Sequence, residues 1–294
     1  MATRFTAWGM SGTVATQSPE REVEALEVCR RLISEFDAAV NRFAPEAEIS
    51  IVNHNPGVRH SISPLFLAAL RAADHSFATS RGLCDPTILP ALAAAGYDRD
   101  FAEISELATS AEALPAIGFP LIDIDYEAST VTLPVGGGLD LGSSAKALFV
   151  DLLVERLAHD GACLVELGGD VAARGVGPDG PWVVGVTVAD EITGHEPKVF
   201  LGDGAVCTSS TTLRSWRTNT GPRHHIIDPR TGESASSSYT RASVAAASCV
   251  DANCFATALL VDDDIAFDLV QAGWGARLTT RWGTVEYVGS WPKD

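Results

Sequence analysis

Residues 224–232 read His224-His225-Ile226-Ile227-Asp228-Pro229-Arg230-Thr231-Gly232, and the rest of the chain can be arranged around this stretch. His225 and Asp228 bracket two apolar residues, which predicts a short strand that ends in a tight turn. Pro229 restricts φ and Gly232 permits unusual backbone angles, so the chain is expected to reverse sharply here. Such a turn can hold polar groups in place for catalysis. An ordinary surface turn with a capping Asp228 is the alternative.

The bulk composition excludes several classes of protein. The chain has 294 residues, of which 46% are hydrophobic and 20% charged, a balance typical of a globular fold. Its formal net charge is −17, which argues against a general binder of nucleic acids or anionic membranes. An anionic ligand remains compatible with this charge, because a few basic groups or a helix N-terminus create a local positive site.

The cysteines and the apolar runs predict where the protein resides. The six cysteines are scattered without the CxxC spacing of zinc sites, which favours reduced thiols in a cytosolic protein. No run approaches the roughly 18 apolar residues of a membrane span. The first ten residues contain no long apolar region followed by Cys. We therefore expect a cytoplasmic protein that has no membrane span.

Helical periodicity dominates the first half of the chain, and strand alternation dominates the second. Residues 4–16 alternate as a strand that Gly9 and Gly12 interrupt, and Gly12 permits a close backbone approach. A 3-4 spacing predicts a helix with its apolar stripe at Leu26, Cys29, Ile33, Phe36 and Val40. Ser63-Pro64 predicts the start of a second helix.

These patterns predict the α+β class. We expect a single compact domain over residues 1–294, built from mixed or antiparallel sheet with helices packed around it. Two intimate lobes within that domain remain possible. There is no GxGxxG after a strand and no GxxxxGK[ST], so a Rossmann or P-loop nucleotide site is not expected.

Two glycine-containing segments are candidate ligand sites. The segment Gly142-Ser143-Ser144-Ala145-Lys146 lies at a predicted strand-to-helix junction, where exposed N–H groups and a Lys favour an anion. An ordinary capped helix with a solvated Lys146 fits equally well. Leu167-Gly168-Gly169-Asp170 ends a predicted strand, and its glycines permit close approach to a ligand or to another strand.

Two further segments are rich in oxygen donors. Residues 208–212 all carry hydroxyl groups, which suits phosphate binding, although a polar helix start capped by a serine is the alternative. Asn253 and Thr257 are four residues apart and should share one helix face. Two oxygen donors on one face suit a hard cation such as Mg²⁺. Helix capping by Asp251 or Asn253 accounts for the same residues.

Taken in order, these motifs resemble those of the FAD:protein FMN transferase (ApbE) family over about residues 5–285. The matching segments are residues 8–13, 41–43, 48–53, 84–87, 140–147, 167–170, 208–210 and 225–232. The resemblance implies an ApbE-like fold that is related to the T-fold. It also implies an Mg²⁺-dependent flavin transferase that moves FMN from FAD to a Ser or Thr hydroxyl of a target flavoprotein and releases AMP. FAD and an acceptor flavoprotein are then the partners, with no nucleic acid.

The resemblance also implies roles for individual residues. His225 is the candidate base, oriented near Asp228, and Lys146 neutralises charge on the pyrophosphate. The metal is expected at a backbone carbonyl near Ser143 and at side chains of Asp251, Asn253 and Thr257. The candidate FAD-binding residues are Met10, Phe43, Asn53, Leu83, Cys84, Asp85, Asp140, Lys146, Gly168, Gly169, Ser209 and Ile227.

Several positions depart from the family pattern. Asn253 stands where the family has a metal-binding carboxylate, so Mg²⁺ affinity is expected to be lower. Ala147 and Ser210 each replace a glycine, and the lipoprotein signal of exported members is absent, which favours an intracellular branch. An FAD-binding or FAD-storing protein is therefore one alternative function. An FAD pyrophosphatase, in which water replaces the protein hydroxyl, is another.

Overall fold

A computed structural model describes residues 2–18, 20–104, 107, 108, 110–186 and 196–292. The strands in this part of the chain are β1 (Ala2–Ala7), β2 (Met10–Thr16), β3 (Arg59–Ser61), β4 (Leu107–Ala108), β5 (Asp123–Asp125), β6 (Thr130–Thr132), β7 (Cys163–Leu167), β8 (Asp170–Arg174), β9 (Trp182–Gly185), β10 (Lys198–Leu201), β11 (Gly204–Ser210), β12 (Ser215–Thr218), β13 (Gly221–His224), β14 (Tyr239–Ala246), β15 (Gly275–Thr280) and β16 (Val285–Gly289). The α-helices are α1 (Glu20–Val40), α2 (Glu48–His54), α3 (Pro64–Thr79), α4 (Leu89–Ala94), α5 (Gly142–Ala158), α6 (Cys249–Ala258) and α7 (Ala266–Gln271). Helices and antiparallel sheet share the chain, so the predicted α+β class is confirmed.

The chain divides into two units. The first consists of Met1–Ser34, Lys146–Ser210 and Ser238–Asp294, and the second of Glu35–Ala145 and Thr211–Ser237. The single domain predicted for residues 1–294 stays a prediction, and each unit is described on its own below. None of the helices in the described ranges is long and apolar enough to span a bilayer.

The first unit is built on one eight-stranded antiparallel sheet. Its strand order is β1-β2-β7-β8-β11-β14-β15-β16. Strand β11 shows how the sheet is covered, because its side chains alternate between two buried faces. Val206 packs with Leu164, Val171 and Trp291 on one face. Cys207 lies on the other face, where its Sγ is 3.5 Å from the carbonyl oxygen of Cys249 in α6. Polar groups that point toward α6 are therefore buried.

The first strand predicted from the sequence is in fact a hairpin. Residues 4–16 were expected to form one strand with interruptions at Gly9 and Gly12, but β1 and β2 pair antiparallel across a turn at Trp8 and Gly9, both with positive φ. The expected close approach at Gly12 is confirmed. A Cβ there would collide with the ring of Phe5 and come within 2.7 Å of the carbonyl oxygen of Glu166.

The second unit combines helices α2, α3 and α4 with two small sheets. One sheet has the antiparallel order β3-β6-β5, and the other has the order β13-β12-β4, in which β12 and β4 run parallel. Ser63 caps α3 as predicted, since its Oγ accepts a hydrogen bond from the backbone N–H of Phe66 at 3.1 Å. Tyr97, Trp216 and Ile227 belong to one buried cluster.

The apolar stripe predicted for α1 was partly wrong. The helix buries Ala25, Cys29, Leu32, Phe36 and Ala39. The predicted positions 26, 33 and 40 are only partly buried. The true stripe follows the same 3.6-residue period with small alanines at two places, and a count of large apolar side chains does not detect them.

Candidate functional site

A buried cluster in the first unit joins three of the motifs found in the sequence. Nζ of Lys146 on α5 lies 3.0 Å from Oδ2 of Asp170, at the start of β8, and donates to the carbonyl oxygen of Gly168 at 3.2 Å. Nδ2 of Asn253 on α6 donates to both carboxylate oxygens of Asp170, at 3.3 and 3.4 Å. Asp170 has no exposed surface. A buried carboxylate requires such compensation, which Lys146 and Asn253 supply.

The two glycines of the Leu-Gly-Gly-Asp motif form the turn between β7 and β8. Gly168 and Gly169 have φ values of +54° and +89°, which favour glycine. A Cβ on Gly168 would collide with Sδ of Met10, so these two candidate FAD-binding residues are in contact. The N–H of Gly169 donates to Oε1 of Glu166 at 3.3 Å, and burial raises the pKa of Glu166.

The hydroxyl-rich segment continues strand β11 through Ser210. The alternative of a capped helix start at Ser209 or Ser210 is therefore wrong, because residues 205–210 pair with β14 instead. Oγ of Ser209 lies 3.3 Å from Oγ1 of Thr257. Ser209 and Thr257, predicted for different roles, are thus neighbours in the first unit.

The cap of α6 is Ser248, whose Oγ accepts from the N–H of Asp251 at 3.1 Å. Neither Asp251 nor Asn253 is the N-cap, so that alternative is wrong. Oδ2 of Asp251 in turn accepts from Oγ of Ser248 at 2.7 Å. The Ser248 hydroxyl thus satisfies one of the free N–H groups of the first turn of α6.

The donor set in the first unit suits a hard cation. Asn253, Thr257 and Ser209 carry an amide and two hydroxyls, oxygen-containing groups that Mg²⁺ accepts, whereas the carboxylate of Asp170 beside them already contacts Lys146 and Asn253. Within the described residues, no group of three or more His, Cys, Asp or Glu side chains is arranged to hold a metal. Mg²⁺ would therefore depend on neutral oxygens and on ligand phosphates, as is usual for this ion.

A second polar cluster, in the second unit, is centred on Arg42. Its Nε lies 2.6 Å from Oδ2 of Asp140, and both side chains are largely buried. The guanidinium also lies over the rings of Phe43 and Tyr97, 4.1 and 4.8 Å from their centroids. Arg42 thereby joins the predicted residues Phe43 and Asp140. Arg42 lies in the matching segment 41–43, and no role was predicted for it.

Other predicted residues of the second unit hold backbone segments in place. The side chain of Asn53 makes two hydrogen bonds with the backbone of Leu139, at 2.9 and 2.8 Å. Oδ1 of Asp85 accepts from the N–H and the hydroxyl of Thr87. Asp140 itself accepts from the N–H of Gly142 at 2.9 Å, at the start of α5. These hydrogen bonds fix the backbone conformation near Asp85 and near Asp140.

Three remaining candidates of the second unit differ in exposure. Leu83 is buried, Cys84 is partly exposed, and Ser143 is exposed in the first turn of α5. Their expected roles toward FAD or a metal stay predictions.

The strand predicted for residues 222–228 ends earlier than expected. β13 ends at His224, and Ile227 forms only an isolated bridge with Ser234. The chain then turns at residues 228–232, where the N–H of Gly232 donates to the carbonyl oxygen of Asp228 at 2.8 Å. The predicted tight turn itself is confirmed, since Gly232 has a φ of +75°.

The candidate base and its predicted orienting carboxylate each contact a further group. Nδ1 of His225 lies 3.4 Å from the carbonyl oxygen of Arg214. Oδ2 of Asp228 is 2.8 Å from Nη2 of Arg230. Arg230 therefore neutralises Asp228, and a backbone carbonyl is positioned to select the tautomer of His225.

The chain is similar to proteins of one family. A model of the ApbE family matches residues 6–275. A protein of Chlamydia trachomatis named FAD:protein FMN transferase is 30% identical over 256 residues, which cover 82% of this chain and 77% of that protein.

Solved structures share the fold. The ApbE protein of Thermotoga maritima has a TM-score of 0.84 at 22% identity, with 98% of this chain and 96% of that one covered. The apo flavinyl transferase ApbE of Pseudomonas stutzeri has a TM-score of 0.78 at 22% identity, with 99% and 93% covered. The resemblance found in the motifs is confirmed over nearly the whole length. This chain belongs to the ApbE family.

Proposed function

We propose that this protein is an FAD:protein FMN transferase, which moves FMN from FAD to a Ser or Thr hydroxyl of an acceptor flavoprotein and releases AMP. Membership of the ApbE family supports the reaction. The observation that carries the proposal is the contact of Lys146 with Asp170 and Gly168, because it places a cation beside the glycine turn in the first unit.

The reaction requires a hydroxyl oxygen to attack the FMN-side phosphorus of the pyrophosphate. A phosphorus–oxygen bond forms, the bond from that phosphorus to the bridging oxygen breaks, and AMP leaves. Two demands follow, which are neutralisation of phosphate charge and removal of the hydroxyl proton. We assign the first to Lys146, held in place by Asp170, and the second to His225.

The metal assignment belongs to the same proposal. Mg²⁺, when bound, would neutralise phosphate oxygens and orient the leaving group. We assign its protein ligands to the carbonyl of Ser143 and the side chains of Asp251, Asn253 and Thr257. The common helix face of Asn253 and Thr257, beside Asp170 and Ser209, supports the part that lies on α6. Asn253 supplies a neutral oxygen, so affinity should depend on the phosphates of the nucleotide.

We further propose that the reaction takes place in the cytoplasm. None of the six cysteines, all of which lie within the described residues, forms a disulfide, and five of them are buried. Cysteines that remain as thiols are typical of a reducing compartment.

One incubation tests the proposed function. The protein is mixed with FAD and Mg²⁺, with and without a purified candidate acceptor flavoprotein, and AMP and FMN are separated by chromatography. AMP release together with flavin fluorescence on the denatured acceptor supports the transferase. AMP with free FMN and no need for an acceptor would identify an FAD pyrophosphatase. Tight FAD binding without any AMP would identify a binding or storage protein.

A further inference from the structure

Helix α6 is capped by a side chain that comes from another helix. The carboxylate of Asp151, on α5, accepts hydrogen bonds from the N–H groups of Cys249 and Val250 at 2.7 and 3.0 Å. These N–H groups have no acceptor within their own helix, and the positive end of the helix dipole favours an anion. Together with Ser248, which is bonded to Asp251, the first turn of α6 therefore has two separate caps.

The two helices joined by Asp151 carry the cluster around Asp170. Lys146 lies on α5, and Asn253 and Thr257 lie on α6. Asp170 contacts Lys146 and Asn253, which makes a second link between the helices. Asp151 therefore links α5 to the first turn of α6 directly, and Asp170 of β8 links the same two helices one turn later along α6.

A tilt of α6 at its first turn, where Asp151 binds, would displace residues further along the helix. Seven residues separate Val250 from Thr257, which is about 10 Å of helix. A tilt of roughly 10° at the first turn would move Thr257 by about 2 Å over that length. Displacements of about 1 Å in catalytic groups can lower rates about 100-fold. The location of the Asp151 carboxylate therefore affects the positions of the Asn253 and Thr257 side chains.

The chemistry of the group matches this role. A carboxylate offers one acceptor oxygen to each N–H group, whereas an amide of the same shape offers one oxygen and an NH₂ that cannot accept. Burial raises the pKa of Asp151 to about 6, although the bonds from Cys249 and Val250 lower it. Above that pH the side chain is an ionised double acceptor.

We propose that Asp151 is a positioning residue of the transferase site. Its carboxylate sets where α6 starts against α5, and so where Asn253 and Thr257 lie relative to Asp170 and Ser209. This inference rests on the proposed function, but part of its test does not depend on catalysis.

The principal test compares Asp151→Asn with Glu155→Gln at pH 7.5. Glu155 is one turn further along α5, is exposed, and pairs with Arg174 at 2.6 Å, so its variant also removes one negative charge from the helix. Thermal unfolding first establishes that both variants fold. Initial rates of AMP release are then measured against FAD and against Mg²⁺.

We expect Asp151→Asn to lower kcat at least 10-fold and to raise the Mg²⁺ concentration for half-maximal rate. The KM for FAD should change less than threefold. Glu155→Gln should stay within twofold of wild type in every constant. Unchanged kcat and Mg²⁺ dependence in folded Asp151→Asn, or an equal loss in Glu155→Gln, would overturn the proposal.

A second variant covers the case in which Asp151→Asn does not fold. Asp151→Glu keeps the carboxylate but moves it by one methylene, so a positioning role predicts a folded protein with reduced kcat. Wild-type kcat in Asp151→Glu would overturn the proposal, because the location of the carboxylate would then not matter.

Hydrogen exchange separates this inference from the proposed function. If wild type releases no AMP from FAD and Mg²⁺, the transferase assignment fails by itself. Amides of residues 251–258 should still exchange faster in Asp151→Asn than in Glu155→Gln, because α6 has lost its tie to α5. Equal exchange in the two variants would refute the positioning of α6 by Asp151.

Discussion

Nζ of Lys146 lies 3.0 Å from Oδ2 of Asp170, a carboxylate with no exposed surface. The ammonium is itself largely buried, with 16% of the side chain exposed. Each charge therefore depends on the other, and removal of one leaves an uncompensated ion in the interior. This pair connects the stability of the first unit with the proposed chemistry of Lys146.

Lys146→Ala should lower AMP release far more than FAD affinity, and it should also lower the free energy of unfolding by about 3–5 kcal/mol. The double variant with Asp170→Asn should recover much of that stability, because no buried charge is left unpaired, but it should not recover activity. Urea unfolding and AMP assays measure the two effects. Activity of Lys146→Ala equal to wild type would contradict the assigned role.

Asn253→Asp would place a second carboxylate next to Asp170, where the amide nitrogen now lies 3.3 Å from Oδ2. Two adjacent carboxylates repel, so the metal-free variant should be less stable than wild type and one of its carboxyl pKa values should rise. Mg²⁺ should restore stability in the variant more than in wild type. Thermal unfolding across an Mg²⁺ titration checks this. Identical Mg²⁺ responses would show that residue 253 is not a ligand.

His225→Ala should lower AMP release by about 10²–10⁴-fold if the imidazole removes the hydroxyl proton, with a smaller change in FAD affinity. His224→Ala is the matched control on the neighbouring residue. Nε2 of His224 lies 3.1 Å from the carbonyl oxygen of Ala235, so this variant should mainly lose stability. Equal rate losses in the two variants would argue against a specific role for His225.

The titration of Asp151 should be visible in the pH dependence of the free energy of unfolding. Burial raises its folded-state pKa to about 6, above the ordinary value of 3.8 for an Asp carboxyl, so the native state binds more protons between these values. Its contribution to stability is fully present below about pH 4 and is lost as the pH rises through 6. Asp151→Asn lacks this titration, and its free energy of unfolding relative to wild type should be higher at pH 7.5 than at pH 5. Arg174 and Asp170 are the charged groups that act on Asp151.

Urea unfolding at these two pH values measures the difference directly, because the titrations of all other groups cancel between variant and wild type. A stability difference that is independent of pH would mean that Asp151 titrates as an exposed carboxylate does.

Local patterns in the sequence predicted much of this fold and part of the candidate site. The Ser63 cap, the turn at Gly232 and the shared face of Asn253 and Thr257 depend on residues within one or two turns of each other, and each is present in the structure. Hydrophobic periodicity predicted the α+β class, and local glycine and lysine patterns predicted the segments around Lys146 and Gly168 as candidate sites. The local patterns were insufficient where a partner lies far along the chain.

The contacts that define the cluster are of that long-range kind. Asp170 and Asn253 are 83 residues apart, and no periodicity or cap connects them. The same holds for Asp151 and the start of α6, and for Arg42 and Asp140. By itself, the sequence determined which residue types are present, where helices and turns form, and which family the motifs match. Only the tertiary structure decided which charged groups are in contact. Strand pairing and helix packing bring side chains that are distant in sequence into buried surroundings of low dielectric constant, where a charged group requires a partner.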